Sequence, residues 1–396
     1  MGRLSAFPEL ITPFTPTRGG RFPPDLTAML IAAILLLMIA AVLELVTLAT
    51  VNKRIDFSTS LSKTLVEPDE EFFIVSTVAN KGLLPLNYVR TTESLPKTVT
   101  VDIERLRGGI SGSAKLNESI LHNKLSCSCY LMPRRQLTRD IPVTASQRGL
   151  YRFMHTTVEG GDFLGLSSRQ RTDHTVKELV VLPRPFESEE FNALFGGYMG
   201  DVSIRRFIME DPVLTLGFRD YTGHEPMKAI AWTQTARTGR LQVKKYDYTL
   251  EATASVLVSI ERTSSIFEGN INSSDEDIER CLSLTRSICE GLEAKSIKYA
   301  LYSNISSPGA RVPLENVVDG LGHPHLMSIL EGLGRAAYQK TRPFVDILDR
   351  AVRSAEQGRS YIVVVVKMLD EYREFIKRLE VASGIRVLVL EVDKLC

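Results

Sequence analysis

Residues 217–246 read GFRDYTGHEPMKAIAWTQTARTGRLQVKKY, and this stretch divides the chain into two differently patterned halves. It holds the only tryptophan, Trp232, among arginines, lysines, glycines and hydroxyls. A turn at Tyr221-Thr-Gly-His224 leads into an amphipathic segment, Pro226 to Thr235. Ala236-Arg237-Thr238-Gly239-Arg240 follows, and then Leu241 to Tyr246, where apolar and polar residues alternate as in a half-buried strand. Trp232, close behind Ile230, is expected to be buried. Arg237, before a glycine turn, is expected to hold strand-end carbonyls or a carboxylate with its forked guanidinium.

Arg219, Tyr221, Ile230, Trp232, Ala236, Arg237, Thr238, Gly239, Leu241, Val243 and Lys244 stand in the order of a known motif. The stretch resembles the core of the bacterial family called domain of unknown function 58. There an Arg-x-Tyr and a Gly-Asp turn precede Ile-Asp-Trp, and Ala-Arg-Thr-Gly-x-Leu-x-Val-Lys follows. Two departures stand out. The turn here reads Gly223-His224-Glu225, and Ala231 replaces the acid before the tryptophan. The resemblance marks Arg219, Tyr221, Gly223, Glu225, Trp232, Arg237, Gly239 and Lys244 as the motif residues.

Upstream, Leu26 to Val51 is almost wholly apolar, with Glu44 its single charge. That is long enough for a helix to cross the hydrocarbon and too long for a signal-peptide core. We expect a retained single-pass anchor over 26–51, preceded by a polar tail over 1–25. Arg3, Arg18 and Arg21 before it and Lys53, Arg54 and Lys63 after it leave orientation undecided by charge. Family members often begin with two closely spaced membrane helices, which places their C-terminal parts in the cytoplasm. Residues 1–25, rich in proline and arginine, cannot supply a first pass here. The five cysteines, Cys127, Cys129, Cys281, Cys289 and Cys396, form no disulfide framework and suit a reducing compartment. With a net charge of +1, whole-molecule charge gives no reason to expect nucleic-acid binding.

Residues 52–185 read as short strands between turn clusters, which predicts an antiparallel β-sandwich. Glu71–Asn80 is β-branched and ends at the turn Asn80-Lys-Gly82, and 125–131 alternates strictly. The resemblance extends through this region. Asn80-Lys-Gly with Leu84-Pro85, Arg148-Gly149-Leu-Tyr151, Asp162-Phe-Leu-Gly165 and Val181-Leu182-Pro183 match family strand ends and corners.

Residues 186–396 switch to strands alternating with helical faces. Val256–Ile260, Tyr299–Tyr302, Tyr361–Val366 and Val387–Leu390 are uniformly apolar, as strands of a parallel sheet covered on both sides should be. The predicted architecture is therefore multi-domain α+β: a transmembrane helix, an antiparallel sandwich, then an α/β Rossmann-type domain. That last domain resembles a von Willebrand factor A domain, whose first strand is followed by Asp-x-Ser-x-Ser holding Mg²⁺. Here the loop reads Glu261-Arg-Thr263-Ser-Ser265, with Lys367 where another acid is usual. Glu261, Thr263 and Ser265 are a degenerate set, since a lysine near the site repels a cation, and a metal-free loop is expected.

No GxSxG elbow, P-loop or zinc spacing occurs, and His323-Pro-His325 reads as a loop. No cofactor is expected. The resemblance implies a membrane-anchored, non-enzymatic scaffold working with protein partners. Family members tend to be encoded beside MoxR-type AAA ATPases and transglutaminase-like membrane proteins. Two other classes stand beside that reading. One is a hydrolase using Arg219, His224 and Glu225; the other is a cation-dependent adhesion domain. Convergence of those three side chains in a concave pocket would favour the first.

Overall fold

The computed structural model describes residues 24–101, 117–121, 124–161, 167–208, 211–247, 252–261 and 275–395. The expected anchor is a helix, α1, Pro24–Arg54. Between Thr27 and Val51 it is long and apolar enough to cross a membrane, and its side chains from Met29 to Val46 are largely uncovered by protein. It is longer than the predicted 26–51 and has no linker. Strand Ile55–Leu61 begins at the next residue. Val51 and Ile55 are buried in the same apolar cluster as Val78, Val89 and Val158, so the last turn of the anchor belongs to the sandwich core. Gly160 makes this possible, because a Cβ there would lie 2.4 Å from the Ile55 Cδ1.

The sandwich matches its pattern. One antiparallel sheet orders Ile55–Leu61, Glu71–Asn80, Gln136–Ala145 and Val99–Val101. The other orders Ser168–Asp173, Thr156–Gly161, Leu86–Ser94, Lys124–Leu131 and Asn117–Leu121. In Glu71–Asn80 the even positions are buried, and Phe72 and Ile74 pack with Leu125 of the facing sheet. The turn residue Asn80 is a clamp. Its side-chain amide donates to the Leu84 carbonyl at 2.9 Å, and its Oδ1 accepts the Gly82 amide at 2.9 Å. Asp162-Phe-Leu-Gly165 lies outside the described residues.

Beyond a helix, α2, Glu189–Ile208, the chain builds a hairpin and then a second body. Its five-stranded sheet runs Val317–Gly320, Lys298–Ser303, Thr253–Ser259, Ser360–Val365, Leu388–Glu391, parallel except for the first. All six residues of Ser360–Val365 are buried because helices cover both faces. The hairpin carries a short helix, α3, Trp232–Thr238, and helix α2 shares one face of the sheet with α4, Asp275–Ala294, and α5, His323–Arg335. Helices α6, Phe344–Arg353, and α7, Asp370–Ser383, cover the other. His323-Pro-His325 is therefore not a loop but the first turn of α5. Proline at the second helical position costs no hydrogen bond there, and His325 Nε2 lies 3.1 Å from the Tyr299 carbonyl oxygen.

Three arginines join the two bodies. Arg148, of the Arg-Gly-x-Tyr corner, is only 4% exposed. Its Nε donates to both Glu279 carboxylate oxygens, at 3.0 and 2.9 Å. Its Nη1 donates to the carbonyls of Leu333, Gly334 and Ala336 at the end of α5, at 3.0, 3.2 and 2.9 Å. The Leu333 carbonyl also accepts the Ala336 amide at 3.3 Å, and all three carbonyls lie at the negative end of the helix dipole, where a cation is favoured. Arg286 forks onto Glu67 at 2.6 and 2.9 Å and reaches the Pro183 carbonyl. Arg335 Nη1 donates to Glu178 at 2.9 Å. The bodies also touch at Gly334, where a Cβ would lie 2.5 Å from Val180 Cγ1.

Arg148→Ala strips the partly buried Glu279 of its counter-charge, leaving it the Tyr338 hydroxyl, and takes a donor from three helix-end carbonyls, and should destabilise the folded chain by about 3–5 kcal/mol. Arg184→Ala, which removes an ion pair to Asp69 with both side chains more than half exposed, should cost less than about 1 kcal/mol. Denaturant melts of the two variants in the same detergent check this. Equal losses would mean that Arg148 is not the joint.

Candidate functional site

The motif is a hairpin closed over a short helix. Strand Asp211–Asp220 pairs antiparallel with Gln242–Asp247, and among the described residues these two pair only with each other. Between them lie a 3-10 turn, Met227–Ala229, and α3, Trp232–Thr238. Ala229, Ile230 and Ala231 are buried, and Ile230 bridges Val243, so the small residues before the helix form its seat on the hairpin. Gln242 ties the parts together. Its amide donates to Thr235 Oγ1 at 3.0 Å, and its carbonyl accepts the Ala231 amide at 2.8 Å. Gly239 ends α3 in the left-handed region, φ 68°, which is the reason for glycine at that motif position.

Trp232 is not buried. It is 60% exposed, and Arg237 is exposed as well, so the expected anchors to the α/β body are not anchors. The cause is local. The seat on Val243 is already filled by Ile230 and the two alanines, and α3 spans only two turns, so the next residue round the helix faces outward. Phe218 is 47% exposed, Met227 69% and Leu241 43%. Around them stand the exposed cations Arg219, Lys228, Arg237, Arg240, Lys244 and Lys245. Only Arg219 among these is ion-paired to a described residue. Phe218 and Lys244 are cross-strand partners and so share the face opposite the one α3 covers.

The turn residues converge on Glu225. Its Oε1 meets Arg219 Nη1 at 2.6 Å, and it accepts the Thr222 hydroxyl at 2.8 Å and the Thr222 amide at 3.0 Å. The Thr222 hydroxyl first, then the backbone bonds and Arg219, hold the carboxyl down at about 2. Gly223, with φ 94°, closes the turn, and His224 is exposed outside it. Tyr221 is held by its amide, which donates to the Leu241 carbonyl at 2.9 Å. Arg219 and Glu225 thus meet as a pair on a turn, with His224 apart from them.

At the carboxyl ends of the parallel strands, Glu261 is fully occupied. One oxygen accepts Lys340 Nζ at 3.2 Å and the Phe344 amide, the first of α6, at 3.1 Å; the other accepts the Tyr372 hydroxyl. Burial, reinforced by Glu261, raises the Tyr372 phenol above its ordinary value. Thr263 and Ser265 lie outside the described residues. Among the described residues no group of three or more His, Cys, Asp or Glu is arranged to hold a metal ion.

Sequence reading missed a polar cavity of about 300 Å³ between α6 and the amino-terminal ends of the strands. Arg342, Arg350 and Arg359 face Glu315, Asp319 and Glu356 there. Arg359 is spent on Asp319, Glu356 and the Ser255 hydroxyl. Opposite charges drawn from segments 40 residues apart, as Arg359 and Asp319 are, leave no local sequence signal.

No family model matches the sequence, and no curated protein does. Among solved structures, native alpha-2-macroglobulin from Escherichia coli, spanning domain MG7 to the C-terminus, is 10% identical with a TM-score of 0.27, over 32% of this chain and 23% of that one. The chain thus spans less than a quarter of that macroglobulin fragment. A non-cellulosomal cohesin from Archaeoglobus fulgidus is 9% identical with a TM-score of 0.22, over 30% of this chain and 88% of that one. A cohesin module from a Clostridium perfringens family 33 glycoside hydrolase is 10% identical with a TM-score of 0.22, over 32% and 96%. Likenesses this slight do not bear on the site.

Two outcomes test the geometry. Trp232→Ala should shift stability by less than about 1 kcal/mol, where a buried tryptophan would cost about 3–5 kcal/mol; a thermal melt separates the two. Glu225 has a folded pKa depressed to about 2, so its contribution is complete above the ordinary value of 4.5 and is lost as pH falls through about 2. The Thr222 amide resonance should therefore hold steady from neutral pH to about 3 and move only below it. Movement centred near 4.5 would mean the turn does not hold the carboxylate.

Proposed function

We propose that this chain is a membrane-anchored, non-enzymatic interaction protein of the domain of unknown function 58 kind, with a von Willebrand factor A-like α/β body. It crosses the membrane once, with its C-terminal domains in the cytoplasm. The observation that carries this reading is the exposed Trp232, on a hairpin that also exposes Phe218, Met227 and Leu241 and several cations unpaired by described residues, and whose strands pair with no other strand among the described residues. Exposed tryptophan and arginine are the residues that dominate protein interfaces, and a folded chain does not leave such a cluster uncovered without a use. The cations favour a partner with an acidic docking face. By the family resemblance that partner is a MoxR-type AAA ATPase, with a transglutaminase-like membrane protein as the second candidate.

The hydrolase reading has less support. Arg219 is neutralised by Glu225, a carboxylate with a pKa near 2 is a weak general base, and His224 stands outside the pair. The adhesion reading needs free oxygens at Glu261, whose carboxylate already serves Lys340, Phe344 and Tyr372.

Purification from detergent-solubilised membranes should recover a AAA ATPase with the wild-type chain, and Trp232→Ala should lower that recovery about tenfold at unchanged abundance, the loss expected of one central interface residue. Equal recovery would remove the hairpin from the interface. Orientation is tested with an impermeant thiol reagent. Burial raises the thiols of Cys127 to about 12, Cys129 to about 11 and Cys281 to about 12, and raises Cys289 too, so they react slowly. Cys396, outside the described residues, then reports alone: protection in intact cells and labelling after lysis are expected, and labelling before lysis would put the body outside.

A further inference from the structure

The seam between anchor and sandwich carries a cavity of about 370 Å³. One wall is α1, with Leu35, Met38, Ile39, Val42, Leu43 and Val46; the other is Leu84, from the turn that Asn80 clamps. Every lining residue is apolar. From Leu35 to Val46 the helix wall runs about 16 Å, the reach of much of an acyl chain. Beside Leu84, Leu83 is 72% exposed. A sandwich turn that offers two leucines at the level of an apolar helix is matched to hydrocarbon rather than to water.

The aqueous end of this groove is cationic. Lys53 and Arg54 follow the apolar span directly, and neither is ion-paired to a described residue. Lys53 is exposed. Arg54 is half-buried by the same turn, since a Cβ on Gly82 would lie 2.7 Å from its Cδ, and the Arg54 carbonyl accepts the Lys81 amide at 2.8 Å. Its Nη1 is buried without a hydrogen-bond partner. A partly desolvated guanidinium with no counter-charge among the described residues is costly until an anion stands beside it. Asp56, two residues along the chain from Arg54, is bound to Lys81 at 2.6 Å. Glu44, the one acid of the span, falls about 160° round the helix from Val42, away from the groove.

We propose that this seam binds one anionic phospholipid, its acyl chain along the Leu35–Val46 wall under Leu84 and its phosphate at Arg54 and Lys53. The proposal rests on α1 crossing the membrane. The full chain, solubilised and offered equal parts of phosphatidylglycerol and phosphatidylcholine, should retain phosphatidylglycerol in native mass spectra by about fivefold or more, the preference one or two interfacial cations supply. Lys53→Gln with Arg54→Gln should bring the ratio near parity. Lys53→Gln alone, at an exposed side chain, should lower it without changing the melting temperature. Leu84→Asn should reduce retention of both lipids. Parity in the wild type, or a preference that survives the double change, overturns the site. Alkaline carbonate extraction separates this from the premise: a chain that washes off membranes was never spanning, whereas one that stays and shows parity spans without the lipid site.

Discussion

The fold depends on how Arg148 is satisfied. A guanidinium this enclosed would be prohibitive on its own, and it is tolerable only because Glu279 and three helix-end carbonyls surround it. Lysine could not replace it. A compact ammonium cannot fork onto a carboxylate and reach the end of α5 together. Because Glu279 and the α5 carbonyls belong to the second body while Arg148 belongs to a corner of the first, the two bodies can part only by exposing a buried charge. Arg286 and Arg335 repeat the device at lower cost, since their partners are more open to water.

That joint matters because of what lies at the other end of the sandwich. Val51 and Ile55 carry the anchor into the first sheet with no flexible residue between them. The apolar helix, the sandwich and the α/β body therefore succeed one another through packed seams, not linkers. What stands apart is the motif hairpin, whose strands find no third strand and whose apolar residues find no cover among the described residues. A rigid support with one uncovered element is an arrangement in which small contact surfaces work well, because little order must be gained on binding.

Much of this was legible in the residues. The apolar span, the period-two strands and the uniformly buried strands of the second body each follow from pattern alone, because burial on one face or two imposes that pattern. The misreadings have a common cause. Trp232 was placed inside because it is large and apolar, yet hydrophobicity cannot say which of several neighbours takes the one available seat, and Ile230 with Ala229 and Ala231 took it. Arg148 was legible as a corner but not as a joint, since its carboxylate lies 131 residues away. The arginine-rich cavity beside α6 was hidden for the same reason.

The acids at the two suspect sites decide what kind of chemistry is left. Glu225 has its charge committed to Thr222 and Arg219, and Glu261 caps α6 while holding Lys340 and Tyr372. Each is the residue a reaction or a cation would need, and each is engaged in fastening a turn or a helix end. Glu225, held in its ionised form, has little basicity to offer, and Glu261, with three hydrogen bonds, has few lone pairs to spare. Cations show the reverse distribution. The buried ones at the joint are paired, while Lys228, Arg237, Arg240, Lys244 and Lys245 on the hairpin, and Lys53, stand exposed without an acid among the described residues. Exposed positive charge beside aromatic and aliphatic surface is the chemistry of recognition, and that is why the proposed interface is sought at the hairpin cations and not at either acid.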